Sequence, residues 1–260
     1  YFYLDSTPTH SYFKALYKYP QTEFPYARLI EENRRRTKLD PEFELTDTGI
    51  FDDDRYFDVV AEYAKYVPDD ILIRLTVANR GPESATLHLL PTLWFRNTWT
   101  WKCAHEGTSI KPQIRSEREN LLVASHETLG NFFLAIGVSP DGRHPPILCT
   151  ENETNSHRLW DFGAEDGFVK DAFHEYIVRG RQNAARLNGV GTKAASHYIL
   201  SIPAGASQTV KLRLFAEKER PAQPLDETFD QIFDARIREA YEFYSSIGLT
   251  KLNDDERNVV

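Results

Sequence analysis

Three consecutive aspartates in the stretch FDDDR, at 51–55, form a carboxylate cluster that could act in acid–base chemistry. Paired carboxylates hydrolyse glycosidic bonds, one as the acid and the other as the base or nucleophile. Adjacent residues on an extended chain point to opposite faces, so these carboxylates cannot flank one bond together. A calcium loop is excluded, because its acidic ligands alternate and a glycine follows them. We expect a turn whose aspartates bond to local backbone, with a contact to another domain or a sugar as the alternative.

The other motifs also argue against catalytic chemistry. The chain contains no GxSxG, HExxH, phosphate-binding loop or dinucleotide fingerprint, and GVG at 189–191 is too short to count as one. Three His-Glu pairs, at 105–106, 126–127 and 174–175, have no second histidine at ligand spacing. We therefore expect neither a metal nor a cofactor.

Three of the four tryptophans fall within eight positions of the stretch LLPTLWFRNTWTW, at 89–101. In an extended conformation, alternate side chains face opposite sides of a strand, with Asn97, Trp99 and Trp101 on one side and Trp94, Arg96 and Thr98 on the other.

Three interpretations of this stretch remain open. A core strand between two sheets explains Leu90, Leu93 and Phe95, but burying Arg96 and Asn97 costs several kcal/mol unless both are paired. An interface with another domain is the second interpretation, because Trp and Arg dominate interface hot spots. The third is direct contact with a sugar, whose apolar ring faces suit indoles.

The elements that must position these residues are mostly strands. Apolar residues alternate with polar ones at 55–65 and at 70–79, and the Gly-Pro turn at 79–84 predicts an antiparallel hairpin with the return strand at 85–95. Further strand patterns follow near 120, 131 and 145, and two more lie within 196–218. About eight to twelve closely spaced strands without intervening helices favour a mainly β, antiparallel sandwich. The Gly-rich segment at 160–192 is expected to be a long connection between two strands.

Helical patterns occur mainly at the two ends. Phe13, Leu16 and Tyr17 suggest one short N-terminal helix, and Ala27, Leu29 and Ile30 suggest a second. A longer apolar stripe at 225–248 predicts a C-terminal helix that leaves the sandwich after the polar hinge at 217–224 and ends at Gly248. Asn253 or Asp254 could cap a further helix.

Composition restricts the environment and the partners. The formal net charge of −8 leaves no basic field for nucleic acid, and nothing approaches the roughly 20 apolar residues of a membrane span. Cys103 and Cys149 match no metal or redox spacing, so we expect a reduced pair and a cytoplasmic protein, with one disulfide as the alternative. NET at 152–154 matches a glycosylation acceptor but carries little weight without a secretion signal.

The two ends of the sequence suggest a fragment. Since the chain has no methionine and starts on an apolar run, we expect it to be part of a longer protein.

Three long stretches resemble the bacterial branch of glycoside hydrolase family 63, which includes the α-glucosidase that trims N-linked glycans. They are YFYLDSTPTHSYFKALYKYPQ at the start, DTGIFDDDRYFDVVAEYAK at 47–65 and NRGPESATLHLLPTLWFRNTWTW at 79–101, and the ending LNDDERNVV resembles the entry to that family's catalytic domain. The resemblance implies a sandwich of the galactose-mutarotase, or supersandwich, type at 1–220. It also implies a helical linker at 221–260 that leads to an (α/α)6 barrel absent from this chain.

The resemblance implies that both catalytic carboxylates lie in the barrel, so no catalytic residue is assigned here. The expected function is a non-catalytic domain of an inverting α-glucosidase that braces the barrel and edges its active site. An independent carbohydrate-binding module is the alternative. The expected partners are the barrel and an oligosaccharide substrate. Polar and aromatic residues at element ends are the candidate contact residues, namely Asp5, His10, Tyr12, Trp94, Arg96, Asn97, Trp99 and Trp101.

Overall fold

A computed structural model of the chain describes residues 1–101, 110–163, 167–247, 252–253 and 255–256. This described part is mainly β, with antiparallel sheets stacked as a sandwich, which confirms the predicted fold class. Its strands are β1 (Phe2–Ser6), β2 (Tyr12–Pro20), β3 (Tyr56–Val67), β4 (Asp70–Asn79), β5 (Ala85–Leu89), β6 (Thr92–Trp94), β7 (Gln113–Arg118), β8 (Leu121–His126), β9 (Gly130–Ile136), β10 (Ile147–Thr150), β11 (Arg186–Leu187), β12 (Val190–Gly191), β13 (Lys193–Ser196), β14 (Tyr198–Ile202) and β15 (Ser207–Ala216). Its α-helices are α1 (Tyr26–Arg35), α2 (Ser156–Trp160), α3 (Ala172–Ile177) and α4 (Thr228–Ser246).

Nine strands form the larger layer, in the order β1-β2-β3-β4-β15-β9-β8-β7-β12, and all neighbours pair antiparallel. Two smaller sheets, β11-β10-β13-β6 and β14-β5, form the second layer. The main apolar core lies between the two layers and includes Phe57, Val77, Leu122, Ile136 and Leu212 from the large sheet and Leu87, Ile147, Ala194 and Leu200 from the small ones. Full burial of each large side chain of this kind contributes about 1.5–3 kcal/mol.

The outer face of the large sheet is covered by α4. Its buried residues are Phe229, Phe233 and Ala240, which pack against Tyr12, Ala64 and Leu72. The helix predicted at 225–248 is therefore confirmed, but it lies on the sheet over its length and does not lead away from it. Gly248 falls outside the described residues.

The polar positions of β3 are buried, although the alternating pattern places them opposite the apolar core. Asp58 and Glu62, which alternation places on the polar face, are both buried. Their charges are compensated, because Lys18 and Arg80 bind Asp58 at 2.8 and 2.7 Å and Arg74 binds Glu62 at 2.9 Å. The polar positions of β3 therefore form buried ion pairs on the outer face of the large sheet.

The first of the two predicted N-terminal helices is also wrong. Residues 12–20 form β2, which is hydrogen-bonded between β1 and β3, with Phe13 opposite Tyr63 and Tyr17 opposite Val59. Pairing on both sides satisfies backbone groups that a short helix would leave open at its ends. The second predicted helix is confirmed as α1, at 26–35.

The predicted hairpin across 79–84 does not form either. The hairpin partner of β4 is β3, whereas β5 pairs with β14 in the second layer. Buried Asn79 stabilises this change of layer, because its amide donates to the Ile202 carbonyl at 2.9 Å and to the Glu83 carbonyl at 2.7 Å. The Gly-Pro turn therefore carries the chain from one layer to the other.

The segment at 160–192 contains α3 and the short strands β11 and β12, which join the two layers at one end. Cys149 is buried and free, whereas Cys103 lies outside the described residues. Beyond α4, Asn253 and Glu256 exchange hydrogen bonds as in a capping box, which agrees with Asn253 as a helix cap. No helix in the described ranges is both long and apolar enough to cross a membrane.

Candidate functional site

The tryptophan segment begins as an edge strand and then turns. β6 pairs with β13, with Trp94 opposite Lys193, and a single 3-10 turn follows at Trp99–Trp101. Asn97 closes this turn by accepting a hydrogen bond from the Thr100 hydroxyl at 3.0 Å. The extended conformation expected for 94–101 is therefore wrong beyond Phe95, and Asn97, Trp99 and Trp101 do not share a strand face.

The indoles of this segment lie at the surface. Trp94 is 57% exposed and Trp101 is 56% exposed, while Trp99 is half-buried. The guanidinium of Arg96 lies 5.2 Å from the centroid of the Trp101 ring, a cation–π distance. Because Trp94 and Trp101 are exposed, neither belongs to the core. Of the three interpretations, contact with another domain and contact with a sugar remain for them. We call Trp94–Trp101 the tryptophan rim.

The rim is held in place by three residues that directly follow β10. The Trp99 indole donates to the Glu153 carboxylate at 2.8 Å, and the Asn152 amide donates to the Phe95 carbonyl at 2.8 Å. Glu151 accepts from the Thr192 hydroxyl at 3.0 Å in the adjoining chain. Because the Asn152 side chain is already engaged and partly buried, it is a structural anchor in this fold and a poor glycosylation acceptor.

Lys111 links the two acidic anchors. Its ammonium lies 3.1 Å from Glu151, 2.7 Å from Glu153 and 5.6 Å from the centroid of the Trp99 ring. Burial alone raises the pKa of Glu153, but the hydrogen bonds from Lys111 and Trp99 outweigh burial and lower it. Burial likewise raises the pKa of Glu151, and bonds from Arg186, Lys111 and Thr192 outweigh it. Both groups are held as carboxylates, so neither is suited to act as a general acid at neutral pH.

Acidification should release the rim anchor at an unusually low pH. The pKa of Glu153 is lowered by folding, so its bonds stabilise the rim above the ordinary glutamate value of about 4.3 and are lost as the pH falls through the lower folded value. In a variant that keeps Trp99 as its one tryptophan, we expect an emission change with a midpoint below about 4.3. Glu153→Gln should abolish this step, and Glu117→Gln, at the Arg220 ion pair, should retain it. A step that persists in Glu153→Gln would contradict this assignment.

Gly191 allows the anchors to pack closely. A Cβ at this position would lie 2.1 Å from the Thr150 carbonyl oxygen, so only glycine fits between β10 and β12. The GVG stretch is thus a packing feature next to Glu151.

The anchor group was not predicted from the sequence. Its sequence signal was the alternation of Glu151 and Glu153 directly after a buried strand.

The N-terminal candidates form a separate group. Tyr12 is buried, and its hydroxyl donates to Glu62 at 2.8 Å, so it stabilises the interior under α4 and offers no surface for contact. Burial, followed by the bond to Glu62, raises the pKa of Tyr12. Asp5 is partly buried in β1, and burial raises its pKa. His10 is exposed in a turn with φ of 52°, where its Nδ1 lies 3.5 Å from the Ser6 hydroxyl.

These two groups do not form one continuous surface. β1 and β2 lie at one edge of the large sheet, whereas the anchors of the rim, Glu153 and Asn152, bond to Lys111 and Thr192, which adjoin β7 and β12 at the other edge. Five strands separate β2 from β7, which corresponds to roughly 29 Å at about 4.8 Å per strand spacing. The structure therefore brings together the rim candidates but not Asp5, His10 and Tyr12.

The aspartates of FDDDR form an exposed 3-10 turn, in which Asp53 and Asp54 have left-handed backbone conformations. The predicted turn is present, and the bonding of its aspartate side chains to local backbone stays a prediction. Among the described residues, no group of three or more His, Cys, Asp or Glu side chains is placed to hold a metal ion. His105 and Glu106 lie outside those residues.

No protein-family profile matches the chain. The chain is similar to the uncharacterized protein YMR196W of Saccharomyces cerevisiae, with 37% identity over an alignment of 298 residues. That alignment covers all of this chain and 27% of the yeast protein. The chain therefore spans about a quarter of the length of this relative. The relative is a yeast protein, and its name states no activity.

Proposed function

We propose that this chain is the non-catalytic N-terminal β-sandwich of a larger glycoside hydrolase that resembles family 63 and acts on α-glucosides. In this role the sandwich braces a helical catalytic domain, and the tryptophan rim edges the active site of that domain. The observation that carries the proposal is the rim itself, which presents two half-exposed indoles and a guanidinium on an anchored turn.

A fixed aromatic surface of this kind suits docking. Contiguous exposed apolar area on a soluble protein marks interaction sites, and Trp and Arg are the residue types that contribute most to such interfaces. The anchors Asn152 and Glu153 hold the turn before any partner arrives, so little side-chain entropy remains to be lost on association.

The two acidic residues that anchor the rim support a non-catalytic role for it. An inverting glycosidase needs one carboxylic acid with a raised pKa, about 6.5–9.5 Å from a carboxylate base. Glu151 and Glu153, the acids on the anchoring segment, share one lysine and have lowered pKa values. The catalytic acid and base are accordingly assigned to the rest of the protein.

An independent carbohydrate-binding module is the alternative function, and the exposed indoles of Trp94 and Trp101 favour it. In that case the rim would meet sugar directly and would need no catalytic domain. We place the protein in the cytoplasm in either case, because Cys149 is buried and carries a free thiol.

The test begins with the encoding gene beyond residue 260, where we expect a helical domain with two well-separated acidic residues. The 260-residue chain should hydrolyse no α-glucoside, whereas the longer polypeptide should. In the longer polypeptide, Trp101→Ala and Arg96→Ala should each lower kcat/KM roughly fivefold or more, since hot-spot truncations cost more than about 1 kcal/mol. Trp160→Ala is the control, because Trp160 is exposed but lies on α2. Unchanged kinetics in both folded rim variants would rule out the proposed role of the rim.

A further inference from the structure

A second aromatic surface lies on the inner face of the large sheet, at the edge formed by β1, β2 and β3. We call it the tyrosine platform; it comprises Tyr1, Tyr3, Phe13, Tyr17, Tyr19 and Tyr63. This end of the sheet extends beyond the main core, where Val59 and Ala61 are still packed against the second layer. Neither the rim nor the N-terminal candidates include these residues.

The rings form a connected array. Tyr1 stacks on Tyr17 with centroids 4.7 Å apart and planes 17° from parallel. Tyr3 lies 6.0 Å from Phe13, and Phe13 lies 5.9 Å from Tyr63 on the next strand. Since these side chains come from three hydrogen-bonded strands, the array rests on a rigid support.

The platform is accessible to a ligand. Tyr3 is 80% exposed, and Tyr19 and Tyr63 are also exposed. Rings of this size are normally buried or carry a function when several of them are contiguous at a surface. Cross-strand stacking alone would stabilise the sheet edge, but it does not require phenols in place of phenylalanine or valine.

The chemistry of the platform is neutral and rich in hydroxyl groups. The inward-facing positions of β2 are Phe13, Ala15, Tyr17 and Tyr19, and those of β3 from 57 to 63 are Phe57, Val59, Ala61 and Tyr63. None of these is charged, whereas Lys14, Lys18, Asp58 and Glu62 occupy the outer face. The next inward-facing position of β3 is Lys65, whose ammonium donates to the Thr9 carbonyl at 3.4 Å. Burial first, and then the neighbouring phenols of Tyr1, Tyr19 and Tyr26, raise the pKa of Tyr17, so its hydroxyl stays protonated at neutral pH.

From this arrangement we infer that the tyrosine platform binds a neutral oligosaccharide. Pyranose rings have apolar faces that stack on phenol rings, and their hydroxyls exchange hydrogen bonds with tyrosine hydroxyls. The phenol rings themselves carry no charge that would bind an ionic ligand, whereas their faces and hydroxyls match both surfaces of a pyranose. The inference shares only its ligand class with the proposed function and needs no catalytic domain.

The test is isothermal titration of the 260-residue chain with two neutral probes, maltoheptaose and cellohexaose. We expect saturable binding of at least one probe. Tyr3→Ala and Tyr19→Ala should each weaken it roughly three- to tenfold, as expected for the loss of one stacked ring. Tyr19→Phe keeps the ring and should weaken binding less than Tyr19→Ala. Tyr241→Ala, at an exposed tyrosine of α4, should leave binding unchanged.

Two outcomes would overturn the inference. One is the absence of binding of either probe to the folded chain, or binding that Tyr3→Ala and Tyr19→Ala leave intact. The other is concentration-dependent dimerisation, measured by sedimentation, that Tyr3→Ala abolishes, since the platform would then be an interface between two copies. Neither outcome bears on hydrolysis by the longer polypeptide, so failure here is distinguishable from failure of the proposed function.

Discussion

Asp70→Asn is expected to lower the free energy of unfolding by about 3–5 kcal/mol, because it leaves a buried guanidinium without its counter-charge. The carboxylate of Asp70 binds Arg213 through two parallel hydrogen bonds, of 2.8 and 2.6 Å, and the two side chains are 1% and 4% exposed. Arg213 also donates to the Pro224 carbonyl at 3.2 Å, which ties the segment before α4 to the sheet. Urea denaturation followed by circular dichroism measures the loss.

The neighbouring residue supplies a matched control. Asp69 binds Lys218 at 2.6 Å, but both side chains are exposed, so Asp69→Asn should cost no more than about 1 kcal/mol. Equal, small losses in the two variants would show that the Asp70–Arg213 pair is not desolvated as described. A double replacement, Asp70→Leu with Arg213→Met, should recover part of the stability, because it removes both buried charges together.

Phe233→Ala is expected to cost a similar amount, about 3–5 kcal/mol, because it opens a cavity between α4 and the large sheet. The Phe233 ring is fully buried, with its centroid 5.2 Å from that of Phe229 and 4.5 Å from the Arg74 guanidinium. Backbone amides of α4 should lose hydrogen-exchange protection more than those of the central strands, because the helix contributes no sheet hydrogen bonds.

On the same helix, Phe243 is exposed, so Phe243→Ala is the control and should cost less than about 1 kcal/mol. If Phe233→Ala were no more destabilising than Phe243→Ala, α4 would not be packed on the sheet as an integral layer. The helix would then behave as the detached linker that the sequence pattern suggested.

Much of the sandwich could be predicted from local periodicity. Alternation identified β3, β4 and β15, because each has an inner face that packs in the core. It could not show that α4 packs on the outer face, or that Asp58 and Glu62 are buried there with Lys18 and Arg74 as their partners from neighbouring strands. Burial of a charged side chain depends on such distant partners, which a window of neighbouring residues does not contain.

The errors have the same origin. In β2, the positions of Phe13, Leu16 and Tyr17 fit a helix as well as a strand, and pairing with β1 and β3 decides between them. The turn after Asn79 has hairpin chemistry, but the contact of Asn79 with Ile202 sends the chain to the other layer. Local turn signals specify a change of direction and not the sheet that the chain joins.

The candidate site was located only in part. The density of tryptophans at 94–101 marked the rim, and the cost of burying Arg96 argued correctly for the surface. The turn at Trp99–Trp101 and its anchors could not be predicted, because Glu153 and Asn152 lie more than 50 residues away in the chain. Tyr12 was misjudged for a similar reason, since its buried partner is Glu62.

The most direct test of the central claim is acrylamide quenching of Trp101 fluorescence, in variants that keep Trp101 as their one tryptophan. The quenching constant is measured for the 260-residue chain and for the longer polypeptide that carries the proposed catalytic domain. We predict efficient quenching in the isolated chain, where Trp101 is 56% exposed, and a severalfold lower constant when the catalytic domain covers the rim. Equal quenching constants in the two proteins would contradict docking of the tryptophan rim.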